Sequence, residues 1–465
     1  MVFRAGVKHI GVVLCFSCRS EGSGRARGKS RCGSTRRRRW SPGPGARSTS
    51  GWIERNPRPL LATAGSGMNT RLIFFNQRLW DLSGHRLAQA LGFLAATRRR
   101  GIPALLFVSE SATPELRGAL PCRPVLHDPV FQLGRSFDQR TADLVAMLHR
   151  HVDPELWPGD RLLHPVATQC EARALAIWLA ELPHAKRPWT VVLFVSDRWN
   201  RYGIAERERQ LREFQVLAAD LAGLAPDVQK KILFATYTEG LREELTTLLG
   251  MELLQMPFTV NLDLMSPGPH RPAGSRPVAC CAGGARPEKG FQKIPAIVAE
   301  CRRRSIEVDF LLQLLNEQLP QDAFEELCRL SQEPGIRAIH GGLNRAPYRA
   351  MLAEADFLLF PYDRIPYRQR NSDVLIEACL MGLPVVVPSE TWLSSQVDSG
   401  AAAGIVFDSE DAGSIAAAIG RCVAELPALS RQARSKASYW RENQGIEPFL
   451  DRFELEIRRR SPVQP

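Results

Sequence analysis

Short apolar runs and amphipathic stretches alternate along most of this chain. Leu72 to Phe75 reads as a strand, 76–84 as a polar loop, His85 to Arg100 as an amphipathic helix and Ala104 to Val108 as the next strand. A strand, a glycine-containing loop and a helix in that order open a doubly wound parallel sheet. Further on, 169–182 predicts a helix, 189–195 a strand, 206–222 a long charged helix, 231–235 a strand, 239–249 a helix and 253–256 a short strand. The alternation pauses at 261–276, where Pro267, Gly268, Pro269, Pro272 and Gly274 mark a linker. It restarts with strands at 277–282, 308–312, 336–339, 357–360 and 404–407, and with helices at 291–304, 321–332, 344–354 and 414–425. Beyond 429, Tyr439, Trp440 and Phe449 suit one or two terminal helices, with two placements open: on the second domain, or crossing back onto the first.

The sharpest local pattern is Asn371 to Pro388, NSDVLIEACLMGLPVVVP. Ser372 is a good N-cap, and Asp373 puts a negative charge where the helix dipole favours it. Gly382 suits a left-handed helix end, and Pro384 keeps the helix from resuming. Val385, Val386 and Val387 then read as a central parallel strand buried on both faces. One carboxylate, Glu377, sits among the apolar residues of this helix.

A chain of 465 residues exceeds what one hydrophobic core serves, so the alternation is expected to form two Rossmann-like domains, 68–260 and 277–428, with terminal helices in 429–465. The net charge of +12 changes the picture only once it is located. Of 61 Lys/Arg and 49 Asp/Glu, residues 1–67 hold 14 and 2, which leaves 47 of each sign in the remainder. The neutral body gives no support to nucleic-acid binding, which would rest on the Arg36 to Arg39 run alone. The leader, rich in Gly, Ser, Arg and Pro, reads as disordered, and we expect it to be an upstream extension outside the working protein. A weak secretory signal around Ile10 to Phe16 and a solvated charge run are its other readings.

The 11 cysteines form no framework. Cys280 and Cys281 are adjacent, and Cys301, Cys328, Cys379 and Cys422 fall in apolar helical contexts as core thiols, which points to a reducing cytoplasm. No apolar run approaches the roughly 18–20 residues of a membrane span, so any membrane contact is expected to be peripheral, at the inner face.

Ligands of doubly wound sheets sit at the carboxyl ends of strands, and several loops there carry chemistry. In 283–290, Gly284 lets a backbone approach a ligand, while Arg286 and Lys289 offer a fork and a point charge for phosphate. A solvated basic turn explains the same residues. The loop 360–370 holds three arginines and two tyrosines and fits either a ligand contact or a solvated surface. The helix start at 372–375 is an anion site by its backbone. Glu377, one turn in, can accept hydrogen bonds from paired sugar hydroxyls or simply face solvent. His340, followed by two glycines, could serve the same ligand. In the first domain Gly84 and His85 stand at a strand-to-helix junction, and Arg201 follows another strand; His85 fits a structural cap as well as a site. No metalloprotease, zinc-finger or P-loop pattern occurs.

Taken together, GARPEKGF at 284–291, the Pro361-Tyr362 pair, NSDVLIEACLMGLPVVVP, GIVFD at 404–408, and LFATYTEGLREEL with QMPF before the linker resemble the family-four, or group 1, glycosyltransferases of the GT-B fold. The resemblance covers about 68–460 in organisation and is densest from 283 to 408. It implies two Rossmann-like domains facing a cleft. It further implies a nucleotide-sugar donor on the second domain, a glycan or small-molecule acceptor on the first, and transfer with retention. No cofactor and no metal is implied; fixed charges would stabilise the leaving group. Arg286 and Lys289 would carry that role, Glu377 would bind ribose hydroxyls, and Gly284, Ser372, Asp373, Gln369, Asn371 and His340 would complete the donor side. Gly84, His85 and Arg201 would contact the acceptor. The family's first glutamate of E-x7-E falls here on Gln369, and Asp373 replaces a small cap residue. Those two positions motivate a second reading, a non-catalytic GT-B protein that binds a nucleotide or glycan or partners an active transferase.

Overall fold

The computed structural model describes residues 70–82, 84–127, 134–195, 204–260, 275–315, 319–343 and 345–461. The leader 1–67 and most of the expected linker, 261–274, lie outside them.

The first half runs β1 (Leu72–Asn76), α1 (Gly84–Arg99), β2 (Ala104–Ser109), α2 (Pro114–Ala119), β3 (Cys122–Leu126), α3 (Phe137–His151), β4 (Arg161–His164), α4 (Gln169–Glu181), β5 (Trp189–Phe194), α5 (Ile204–Ala222), α6 (Pro226–Gln229), β6 (Ile232–Thr236), α7 (Glu239–Leu249) and β7 (Leu254–Gln255). The seven strands form one parallel sheet in the order β3-β2-β1-β4-β5-β6-β7. The stretch 109–168, for which the alternation gives no clear reading, supplies two of them. β4 is only four residues long, and α3 shows a narrow buried stripe (Thr141, Leu144, Met147, Leu148), so neither pattern stands out before packing is known.

The second half runs β8 (Val278–Cys281), α8 (Ile294–Arg303), β9 (Asp309–Leu314), α9 (Gln321–Leu330), β10 (Ile336–His340), α10 (Arg345–Ala353), β11 (Phe357–Leu359), α11 (Arg364–Tyr367), α12 (Asp373–Met381), β12 (Val385–Pro388), α13 (Trp392–Asp398) and β13 (Gly404–Phe407). Its parallel sheet has the order β10-β9-β8-β11-β12-β13. The valines of β12 are fully buried, as a central strand covered on both faces requires. Cys280 and Cys281 are free thiols on opposite faces of β8, and burial pushes the Cys280 thiol up to about 12.

After β13 the expected helix at 414–425 does not stop. α14 (Ala412–Asn443) is one 32-residue helix through Pro427, followed by α15 (Ile446–Arg460). A proline inside a helix costs about 3 kcal/mol, since it lacks an N–H and crowds the preceding turn. Here Ile415, Ile419, Cys422, Leu429, Ala433, Ala437 and Trp440 form a buried stripe on both sides of it, and that packing outweighs the cost. α14 is also long and apolar enough, by length and composition, to cross a membrane, contrary to the reading of the sequence. Its buried stripe packs on α8, α12 and β13.

Of the two placements left open for the C-terminal helices, the structure takes both. α14 stays on the second half, while α15 crosses back to the first. The crossing point is pinned by Gly445 N donating to Phe258 O (2.8 Å) and Phe258 N donating to the Gln444 carboxamide (2.8 Å). Phe258 also packs edge-on to Trp392 at 5.3 Å and stacks with Trp440 at 6.3 Å. α15 then lies against α1, with Phe449 edge-on to Phe93 at 5.8 Å and Glu447 bridging Arg99 and Arg100. Burial opposes ionisation of Glu447, but the two guanidinium groups prevail and hold its carboxyl below the usual range.

Candidate functional site

The second sheet reverses its strand order at β8: β9 and β10 lie on one side, and β11, β12 and β13 on the other. The loops that follow β8 and β11 are therefore neighbours at the carboxyl edge, where doubly wound sheets form crevices. Backbone contacts fuse them. Asp363 N donates to Glu288 O at 3.0 Å, and a side chain at Gly290 (φ 68) would run into the Pro361 carbonyl, so only glycine allows this approach. Lys293, which follows β8, ties the loop after β11 to the one after β13, with its ammonium 2.7 Å from both Asp363 and Glu410. Burial works against the charge on Glu410, but Lys293 and the Arg364 N–H outweigh it and lower its pKa.

Lys289, expected to bind phosphate, is 7% exposed; its Nζ lies directly against Gly283 and 5.7 Å from the Tyr362 ring centroid. Val374 in the first turn of α12 flanks the same glycine, so the ammonium sits beside the positive end of that helix. Gly283 N in turn donates to Gln313 at 2.7 Å, which fixes the loop to β9. Arg286, half-buried, places Nε 3.5 Å from Glu288. Gly284 and Asn371 are half-buried in the same loops. Ser372 is buried and caps α12 by accepting from Leu375 N, and Gly382 ends the helix at φ 68, both as its sequence predicts.

Glu377 projects from α12 toward α10, where the Tyr348 hydroxyl donates to Oε2 at 2.7 Å. Burial, and then the negative charge of Glu377, hold the Tyr348 hydroxyl well above its ordinary range, so it stays a neutral donor. Nothing in the sequence singles out Tyr348; its partner is 29 residues away and on another helix.

Gln369 and Asp373 turn toward the first half. The Thr238 hydroxyl donates to Gln369 O at 2.6 Å, and a Cβ placed on Gly240 would lie 3.3 Å from Gln369 Cγ. Asp373 is exposed and accepts from Asn371 at 3.1 Å, not from the arginines at 368 or 370. Its charge reaches across to Tyr237, whose hydroxyl is held above its usual range by burial first and by Asp373 second, against the hydrogen bond with Thr259. His340 stands apart, exposed at the end of the edge strand β10.

Of the residues expected to contact an acceptor, Gly84 and His85 open α1, with the His85 side chain outside the described residues, and Arg201 also lies outside them. What the first sheet shows at its own order reversal, between β1 and β4, is a closed polar cluster. Gln77 donates to Val166 O (3.1 Å) and to Glu171, Thr168 N donates to Glu171 at 2.6 Å, and His164 Nε2 lies 3.6 Å from Glu171. Burial disfavours the Glu171 charge, but His164, Arg78 and the Thr168 N–H overcome it and lower the pKa. A cavity of about 20 Å³ beside it, lined by His164, Gln77, Leu126 and Met147 among others, has room for about one water. Among the described residues no cluster of His, Cys, Asp and Glu is arranged to hold a metal ion.

No family model and no curated protein matches the chain. Solved structures do. The sucrose-phosphate synthase of Thermosynechococcus elongatus matches 84% of this chain and 98% of its own at a TM-score of 0.59 and 15% identity. Anabaena HepE in complex with UDP-glucose matches 83% and 98% at 0.55 and 16%. An apo structure of OtsA matches 83% and 99% at 0.59 and 11%. At such identities the likeness is one of fold: two Rossmann-like domains in the GT-B arrangement.

Proposed function

We propose that this protein is a glycosyltransferase that holds a nucleotide-sugar donor on the carboxyl edge of the second sheet and transfers the sugar to a glycan or small-molecule acceptor on the first. The observation that carries the reading is that Lys289 sits beside the first turn of α12, with Arg286 in the same loop and Glu377 one turn into the helix. A diphosphate would meet fixed cations and free helix amides, and ribose hydroxyls would meet the carboxylate that Tyr348 already orients. As the glycosidic bond breaks, negative charge grows on the departing diphosphate, and pre-placed cations stabilise that charge without reorganising. Chemistry of this type needs no metal. We further propose retention at the anomeric carbon and a role in surface or secreted polysaccharide synthesis, in line with the motif resemblance. That HepE has been solved with UDP-glucose supports a nucleotide-sugar donor for a fold of this kind.

One observation favours a second reading, a non-catalytic GT-B protein. Gln369 is engaged as a contact with Thr238 and Gly240 and brings no negative charge to the cleft. Hydrolysis of UDP-, GDP- and ADP-sugars by the full chain separates the two. Turnover of at least one donor, lost in Lys289→Ala and Arg286→Ala, is the expected result; binding without turnover of any donor supports the second reading.

A further inference from the structure

Among the described residues, two that are not glycine take a left-handed backbone, Ser305 and Glu390, each at φ 57. Ser305 follows the C-cap of α8, where such residues are common. Glu390 has no helix end to explain it; it lies between β12 and α13, at the carboxyl edge of the second sheet. Both of its neighbours are pinned. Ser389 N donates to Phe407 O at 2.9 Å, and Thr391, the cap of α13, donates its hydroxyl to Pro388 O at 2.8 Å. An exposed glutamate is thereby held in a costly conformation by hydrogen bonds on either side, and strain held in this way clusters at functional sites.

Arg364, at the start of α11, places Nη1 3.9 Å from the Glu390 carboxylate. That distance exceeds hydrogen-bonding reach, and Arg364 Nε and Nη2 are buried with no hydrogen-bond partner among the described residues. Glu410, which also feels the Arg364 charge, gives its oxygens to Lys293 and to the Arg364 backbone N–H. A guanidinium and a carboxylate therefore stand side by side without being spent on each other. The pair adjoins the proposed donor site: Asp363, one residue before Arg364, joins the loop after β11 to Glu288, and the Tyr362 ring lies against Lys289. Since β8, β11 and β12 are neighbours in the sheet, the loops that follow them stand in a row.

Resting on the donor reading above, we propose that Arg364 and Glu390 bind the sugar of the donor through two neighbouring hydroxyls. The chemistry of the pair is the reason. A guanidinium only donates hydrogen bonds, and a carboxylate only accepts them. A hydroxyl does both, so one sugar oxygen accepts from Arg364 Nη1 while its neighbour donates to Glu390. An anionic sugar group would meet Glu390 acceptor to acceptor, and an amine would meet Arg364 donor to donor. The pair therefore suits the uncharged, polyhydroxylated face of a sugar. It also returns to the donor side a carboxylate that Gln369 does not supply.

The test is calorimetric titration of the full chain with UDP-glucose, GDP-mannose and ADP-glucose, each paired with its free nucleoside diphosphate. It is run on the native protein and on Glu390→Gln, Glu390→Gly and Arg364→Met. For the base that binds, Glu390→Gln and Arg364→Met are each expected to weaken the sugar nucleotide about tenfold and the free diphosphate less than about threefold. Glu390→Gly should lose the sugar contact likewise without lowering the urea midpoint, because glycine takes φ 57 without strain. Glu390 is exposed, so its two variants decide the matter if Arg364→Met does not fold. Equal losses for sugar nucleotide and diphosphate, or no loss of either, overturn the inference and leave the donor reading standing. A tighter sugar nucleotide in Glu390→Gln marks an anionic group at this place and also overturns it. A native protein that binds neither kind of nucleotide overturns both.

Discussion

At the order reversal of the first sheet, Gln77, Thr168 N and His164 converge on one buried carboxylate, Glu171. At the same place in the second sheet, Arg286 and Arg370 both approach the Glu288 carboxylate, while Lys289 and Arg370 lie against the rings of Tyr362 and Tyr367. The topology is shared, and so is the carboxyl-edge position. What differs is the chemistry gathered there: one buried carboxylate in the first sheet, several basic side chains in the second. A buried cluster in which each charge has a partner rigidifies a fold. Basic side chains gathered at one edge attract an anion, and the second cluster is accordingly the one we propose takes the ligand.

Breaking each cluster should therefore give different phenotypes. Glu171→Ala removes the shared acceptor of Gln77, Thr168 N and His164, and should destabilise the protein by about 3–5 kcal/mol in urea unfolding. The proposed donor site, on the other sheet, should keep its nucleotide affinity in whatever fraction remains folded. Lys289→Ala should do the reverse, lowering turnover about 10²–10³-fold, read by donor consumption, while the unfolding midpoint stays near that of the native protein.

The first cluster also predicts a pH dependence. The Glu171 pKa is lowered in the folded protein, so its contribution to stability is fully present above the ordinary glutamate value of 4.5 and is lost as pH falls through the lower folded value. Urea midpoints measured from pH 7 to pH 3 should fall in acid, and Glu171→Gln should remove part of that fall. An equal fall in the variant would show that other carboxylates dominate.

Smaller effects sharpen the contrast at the second site. Tyr348→Phe deletes one hydrogen bond to a charged group, worth about 1.5 kcal/mol, and should raise the donor KM about tenfold with kcat nearly unchanged. The smallest change is expected of Thr238→Val, which removes the hydroxyl that donates to Gln369 O between the halves, about 1 kcal/mol or less. It should appear as faster hydrogen exchange around 369–373 and not as a changed unfolding midpoint.

Much of the second half was legible beforehand. Ser372, Gly382 and the three valines announce α12 and β12 through capping and burial rules that act over a few residues. The basic loop at 286–289 was legible as chemistry for a similar reason, since glycine and cation spacing is local. The full length of α14 is not legible in the sequence, because Pro427 favours a stop, whereas the buried stripe that carries the helix past it depends on α8, α12 and β13.

By itself, then, the sequence determined the alternation of strands and helices, the neutral body that follows a basic N-terminal stretch, and the cap of α12, because hydrophobic period and capping are properties of neighbouring residues. Only the tertiary structure decided that Tyr348 holds Glu377, that Gln369 faces the first half, that Arg370 shares Glu288 with Arg286, and that α15 returns to α1. Each of these joins residues on separate elements. Which side chains face one another there is settled by strand order and helix packing, not by any local pattern.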